Sequence, residues 1–136
     1  MLKLKKSDNR KFRKVVVVNT MNNKRVKVNV LLDTGSVYTI VTGDVADALR
    51  LISLGDMGFE HSDGVVEKTY FSHLSIKVKD YDFPIKVVIS KLIGSDLLIV
   101  GADFMKLYEA VLRFDVKEHD VVLRNIQKKA VVDWDL

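Results

Sequence analysis

The sequence contains no cysteine, a single proline and a single tryptophan in its 136 residues. Without cysteine there can be no disulfide, no thiolate metal site and no cysteine nucleophile. One proline and seven glycines argue against long disordered or low-complexity stretches. No apolar run approaches the ~20 residues of a membrane span. The N-terminus lacks the long apolar centre of a secretion signal, so a cytoplasmic chain with no membrane partner is expected. His61, His73 and His119 lack the spacing of metal ligands, and no metal or other cofactor is expected.

What is present is an apolar share of 48% and a charged share of 29%, the balance of a soluble domain with its own core. The length suits one such domain. Charge is uneven: residues 1–14 hold seven Lys and Arg against Asp8, a balance of +6, and the other residues sum to −2. The chain therefore divides into a basic N-terminal arm, 1–14, and a domain, 15–136. Such an arm can attract nucleic acid. No interleaved aromatics or nucleic-acid motif accompany it, so it reads as a solvated end and nucleic acid is not an expected partner.

Hydrophobic alternation predicts mostly strands. Val15 to Val18, followed by Asn22-Asn23 and the alternating Val26, Val28 and Val30, reads as a hairpin. Val37 to Val41 reads as a short strand, and Val45, Ala48, Leu49 and Ile52 as a short helix capped by Thr42 or Asp44. Residues 53–64 carry three glycines and read as turns. Asp63-Gly64 is the pair preferred in tight hairpin loops. Leu74 to Val78 and Phe83 to Ile89 read as strands, with Pro84 marking an edge or a strand start. Leu97 to Val100 is a continuous apolar run, the pattern of a strand covered on both faces. Phe104, Leu107, Tyr108 and Val111 form a helical stripe. Val111 to Val116 and Val121 to Leu123 read as a closing pair, and the apolar tail 130–136 as a segment that pairs with another chain, with Trp134 as an interface or core anchor.

One feature carries chemistry. Asp33-Thr34-Gly35-Ser36 directly follows the apolar residues Val30, Leu31 and Leu32 and directly precedes Val37 to Ile40, which places a carboxylate in a tight turn between two strand-like segments. Burial without a partner would push it toward its neutral form, so the arrangement suits a site where a second carboxylate, a water or a substrate meets it. The structural alternative is a turn aspartate that binds its own loop. Asp103, after Gly101-Ala102, reads most simply as a helix-start residue, with a contact to the Asp33 loop as the other option.

Taken with the Asp-Gly hairpin some thirty residues on, and with Ile99-Val100-Gly101 followed by a helix, this pattern resembles the retropepsin-like aspartic proteases, most closely their single-domain cellular members. The resemblance covers most of residues 15–116. It implies an all-β fold: a small closed acid-protease barrel with one or two short helices, active as a homodimer. It also implies a polypeptide substrate, and a water activated between Asp33 of one protomer and Asp33 of the other, the pair sharing one proton. Thr34 would hydrogen-bond the facing chain, Gly35 would let its N–H approach the carboxylate, Ser36 would donate to Asp33, and Gly101 would let the second helix pack behind the loop. Ser62, Asp63, Gly64 and Val65 fall at the tip of the family's substrate-covering flap. A non-catalytic dimeric module that binds peptides or protein partners is the alternative function.

Overall fold

Valines at successive inward positions drive the first hairpin, in which β1 (Arg13–Asn19) and β2 (Lys24–Leu32) pair antiparallel with Val15 opposite Val28 and Val17 opposite Val26. The computed structural model describes residues 13–113, 120–125 and 130–134. The basic arm therefore lies outside the described residues except for Arg13 and Lys14, which begin β1. After β2 come β3 (Ile40–Thr42), α1 (Gly43–Leu49), β4 (Gly55–Glu60), β5 (Val66–Val78), β6 (Tyr81–Ser90), β7 (Leu97–Val100) and α2 (Ala102–Leu107). A separate antiparallel sheet joins β8 (Val111–Arg113), β9 (Asp120–Asn125) and β10 (Ala130–Trp134).

Six strands form a ring in the order β1-β2-β7-β3-β6-β5, closed where Val16–Val18 of β1 pair with Ser75–Lys77 of β5. Closure removes the exposed edges that an open sheet would present. β4 pairs with the first half of β5, Val66 to Phe71, and makes a hairpin that extends beyond the ring. β7 runs parallel to β2 and antiparallel to β3. Its alternate residues serve two clusters: Leu98 and Val100 enter the main core, whereas Leu97 and Ile99 join a smaller cluster. That division explains why the strand shows no polar face in the sequence.

An aromatic group fastens α2 and the tail to the barrel. The Phe104 ring lies 5.0 Å from Tyr108 and 5.8 Å from Trp134, and Tyr108 meets Phe83 edge-on at 4.8 Å. The Tyr108 hydroxyl donates to the Pro84 carbonyl. Burial pushes the Tyr108 hydroxyl above its ordinary pKa, so it remains a donor across the working range of a protein.

Four local readings are corrected. Residues 55–60 are strand rather than turn, because β5 offers them an edge and Met57 and Phe59 find apolar neighbours. Residues 37–39 are loop rather than strand, their backbone being used to hold α2. Val111 belongs to β8 and not to the helix. The tail pairs with β9 of its own chain through Ala130 to Trp134, and Trp134 is a core anchor. The expected strand residues 114–116 and the last two of the tail lie outside the described residues. Pro84 sits where β6 has β5 on one side and has not yet met β3, whose pairing starts at Val88, so its missing N–H breaks no ladder to β3. No helix among the described residues is long and apolar enough to cross a membrane.

Phe104 is fully buried where barrel, helix and tail meet. Phe104→Ala is expected to lower stability by about 3–5 kcal/mol, measured by urea denaturation.

Candidate active site

β2 delivers Asp33 to the end of the barrel, where its N–H donates to the Val100 carbonyl at 3.0 Å and extends the β2–β7 pairing by one residue. The chain then turns. The Ser36 N–H donates to the Asp33 carbonyl at 3.0 Å, and the Gly35 N–H donates to Asp33 Oδ1 at 3.0 Å. The half-buried Asp33 is thus oriented by its own loop. Thr34 is buried, while Gly35 is exposed.

Ser36 behaves differently from the expectation. Its hydroxyl donates to the Tyr38 carbonyl at 2.8 Å rather than to Asp33. A serine readily bonds a backbone group two residues on. Ser36 supports the loop through its carbonyl as well, which accepts the Ala102 N–H at 2.7 Å.

The loop is clamped from behind. Asp103 Oδ2 accepts the Thr39 N–H at 3.1 Å, and Asp103 Oδ1 accepts the Thr39 hydroxyl at 2.7 Å and the Phe104 N–H at 2.7 Å. Thr39 Oγ1 in turn accepts the Gly101 N–H at 3.2 Å. Asp103 therefore both starts α2 and grips the loop, the two options open from the sequence. Each bond to a carboxylate is charge-assisted and stronger than a neutral one. Gly101 is where the two backbones touch: a Cβ there would lie 2.6 Å from the Tyr38 carbonyl carbon and 2.8 Å from the Ser36 oxygen. Only glycine fits without displacing the loop.

The hairpin tip holding Ser62, Asp63, Gly64 and Val65 is exposed and bound by its own atoms. The His61 N–H donates to the Val65 carbonyl, the Gly64 N–H to the His61 carbonyl, and the Val65 N–H to Asp63 Oδ1. Gly64 has φ 87°, a left-handed conformation that suits glycine. The hairpin is joined to the body by Glu67, which stands near the expected turn but carries no role in the sequence pattern. Its buried carboxylate accepts the Ser90 hydroxyl at 2.8 Å and the Lys91 N–H at 2.7 Å, and lies 2.8 Å from His61 Nε2. Burial by itself raises the Glu67 pKa. The Lys91 N–H, the Ser90 hydroxyl and His61 together outweigh it and hold the group below its ordinary 4.5.

An apolar wall connects these parts. Around Ile40, Val88 and Ile99 pack Leu31 before Asp33, Tyr38 after it, and Met57 and Phe59 from the hairpin. The structure thus brings Asp33, Ser36 and Gly101 together directly, and links the hairpin to their loop through this cluster, while Glu67 fastens it to the end of β6. Among the described residues no group of three or more His, Cys, Asp or Glu could hold a metal.

The architecture is that of the retropepsin-like proteases. The chain is similar to the protease of EIAV solved with the inhibitor HBY-793, at 21% identity and a TM-score of 0.56, over 76% of this chain and 91% of that one. It is similar also to the retroviral protease-like domain of Ddi1 from Leishmania major, at 15% identity and a TM-score of 0.57, over 93% and 92% of the two chains. No protein-family model and no curated protein matches the sequence. At such identities the shared property is the fold.

Two measurements probe the site. Gly101→Ala is expected to cost about 1–3 kcal/mol, the range for forcing atoms into filled space, read from thermal or urea unfolding. The depressed Glu67 pKa has a definite sign: its stabilisation is present above about pH 4.5, the unfolded value, and is lost as pH falls through the lower folded value. Glu67→Gln should flatten the pH dependence of stability in that acidic window and lower stability at neutral pH by about 1–3 kcal/mol, both read from urea midpoints across pH.

Proposed function

We propose that the chain is an aspartic endopeptidase acting on polypeptides as a homodimer, with Asp33 of each protomer forming the catalytic pair. The observation that carries the proposal is the Asp33 turn: a carboxylate oriented by the Gly35 N–H, on a loop locked by Asp103, at the end of a retropepsin-like barrel. One carboxylate can take a proton from a water but cannot at the same moment give one to the substrate. A second, protonated carboxylate supplies that half of the reaction, and a two-fold axis supplies it from an identical chain.

In this mechanism the ionised Asp33 draws a proton from water while its partner protonates the scissile carbonyl oxygen. The two then exchange roles as the leaving amine takes its proton. The chemistry proceeds through a tetrahedral adduct of water and no covalent enzyme intermediate. Exposed Val37 on the Asp33 loop and Val65 at the hairpin tip suit apolar side chains flanking the scissile bond, and backbone atoms of the Ser62 to Val65 tip suit an extended peptide. The absence of cysteine fits a cytoplasmic setting.

One observation favours a second reading. The hairpin is bonded to the body through the buried Glu67, which suits a module that holds a peptide without turning it over.

Peptide-library cleavage from about pH 3 to about pH 7, with sedimentation of the same samples, separates the readings. The expected result is a dimer that cleaves, with Asp33→Asn reducing the rate about a thousandfold. Cleavage that survives Asp33→Asn, or an active monomer, would refute the catalytic pair. Peptide retention without cleavage by either protein would favour the module.

A further inference from the structure

Away from the Asp33 end, a cavity of about 660 Å³ opens against β1, β2 and the end of β5. Its lining joins two kinds of residue. Lys14, Arg25, Lys27, Lys77 and Lys79 supply positive charge, and valines with Trp134 supply apolar surface. No carboxylate is among the described residues that line it. Register explains the concentration: Val16 of β1 has Lys27 as its partner on one side and Lys77 on the other, so cations flank an apolar strip. Asp82 is the β6 partner of Lys77, and even with that pair matched the lining keeps a cationic excess. From Lys27 to Asp33 is six residues along β2, about 20 Å at strand rise, so the cavity is separate from the candidate active site.

We propose that this groove docks an acidic segment of a polypeptide that carries apolar side chains among its carboxylates. Like charges gathered on one face repel one another and are relieved by a polyanion. The number of cations suits several anionic groups spread along a chain rather than one small carboxylate. Lys14, the last residue of the basic arm, is itself part of the lining.

The apolar component distinguishes the occupant. Grooves for single-stranded nucleic acid combine cations with exposed aromatic faces on which bases stack. Here the aromatic in the lining, Trp134, is 5% exposed and packed on Phe104, so it offers no platform. The valine surface accepts aliphatic side chains instead. The β1–β5 pairing runs through Val16–Val18 and Ser75–Lys77 and stops before Lys14, Val15, Val78 and Lys79 of the lining, so the segment meets the groove where the two strands part, its carboxylates on the lysines and its apolar side chains on the valines. The site does not depend on Asp33 being catalytic.

The test uses a short fluorescent peptide of alternating glutamate and leucine, with a glutamate-serine counterpart and a single-stranded oligodeoxynucleotide as comparisons, titrated by anisotropy at several salt concentrations. The glutamate-leucine peptide is expected to bind with an affinity that falls with salt and to bind about fivefold or more tighter than the glutamate-serine one. Lys27→Glu with Lys77→Glu should weaken it by about tenfold or more, while Lys27→Arg with Lys77→Arg retains it. Circular dichroism checks the fold, and Lys27→Gln with Lys77→Gln replaces the reversal if that protein does not fold. No binding, binding indifferent to these lysines, equal affinity for the glutamate-serine peptide, or tighter retention of the oligonucleotide would each overturn the proposal.

Discussion

The grip of Asp103 on Thr39 is the contact on which the rest of the site depends. A turn that leaves a strand with a carboxylate at its tip has few ways to stay in place, because its own hydrogen bonds are short-range. Here the loop is tied to a helix start more than sixty residues later, through two bonds to one carboxylate and through the hydroxyl that also receives the Gly101 N–H. The bonds are satisfied on both sides, and Thr39 is fully buried. Such a network rigidifies what it encloses, and the loss of Asp103 would leave the buried Thr39 groups without the partner they have here.

The barrel supplies the fixed frame and the hairpin supplies the adjustable part. Six strands close on themselves, while β4 and the first half of β5 extend past the ring. An extension of this kind has less packing than the ring and would be expected to open more readily. Glu67 opposes that tendency by fastening it to Ser90 and Lys91. Lifting the hairpin would strand a carboxylate and two donors, unless water replaced them at once.

Much of the barrel could be read from alternation. The hairpin of β1 and β2 and the doubly covered β7 match because each is decided by its own residues, whereas the helical stripe holds for Phe104 alone within α2, Tyr108 following its end, Leu107 being exposed and Val111 lying in β8. β4 could not be read, because its two glycines favour turns and its strand conformation is imposed by β5. The Asp33 turn was legible as a motif. Its clamp was half legible: Asp103 stood at a helix start, but its bond to Thr39 is a tertiary fact with no local signature. Glu67 does carry a local signal, since strand alternation places it on the same face as Thr69 and Phe71, opposite Val66 and Lys68. A carboxylate on that face needs partners, and His61 was the nearest in sequence.

Closing the ring by joining β1 to the last residues of β5 has a kinetic side. The first strand is made early in the chain, yet its second neighbour is synthesised only after the whole hairpin region has followed. Until Ser75 to Lys77 arrive, Val16 to Val18 keep an unsatisfied border that can attach to foreign strands. A topology of distant partners folds slowly, because chain entropy must be spent before such contacts form. Lys27 and Arg25 stand opposite Val16 and Val18 on β2, and their charge would repel other copies of the same hairpin during the interval, a protection that ends once β5 is in place.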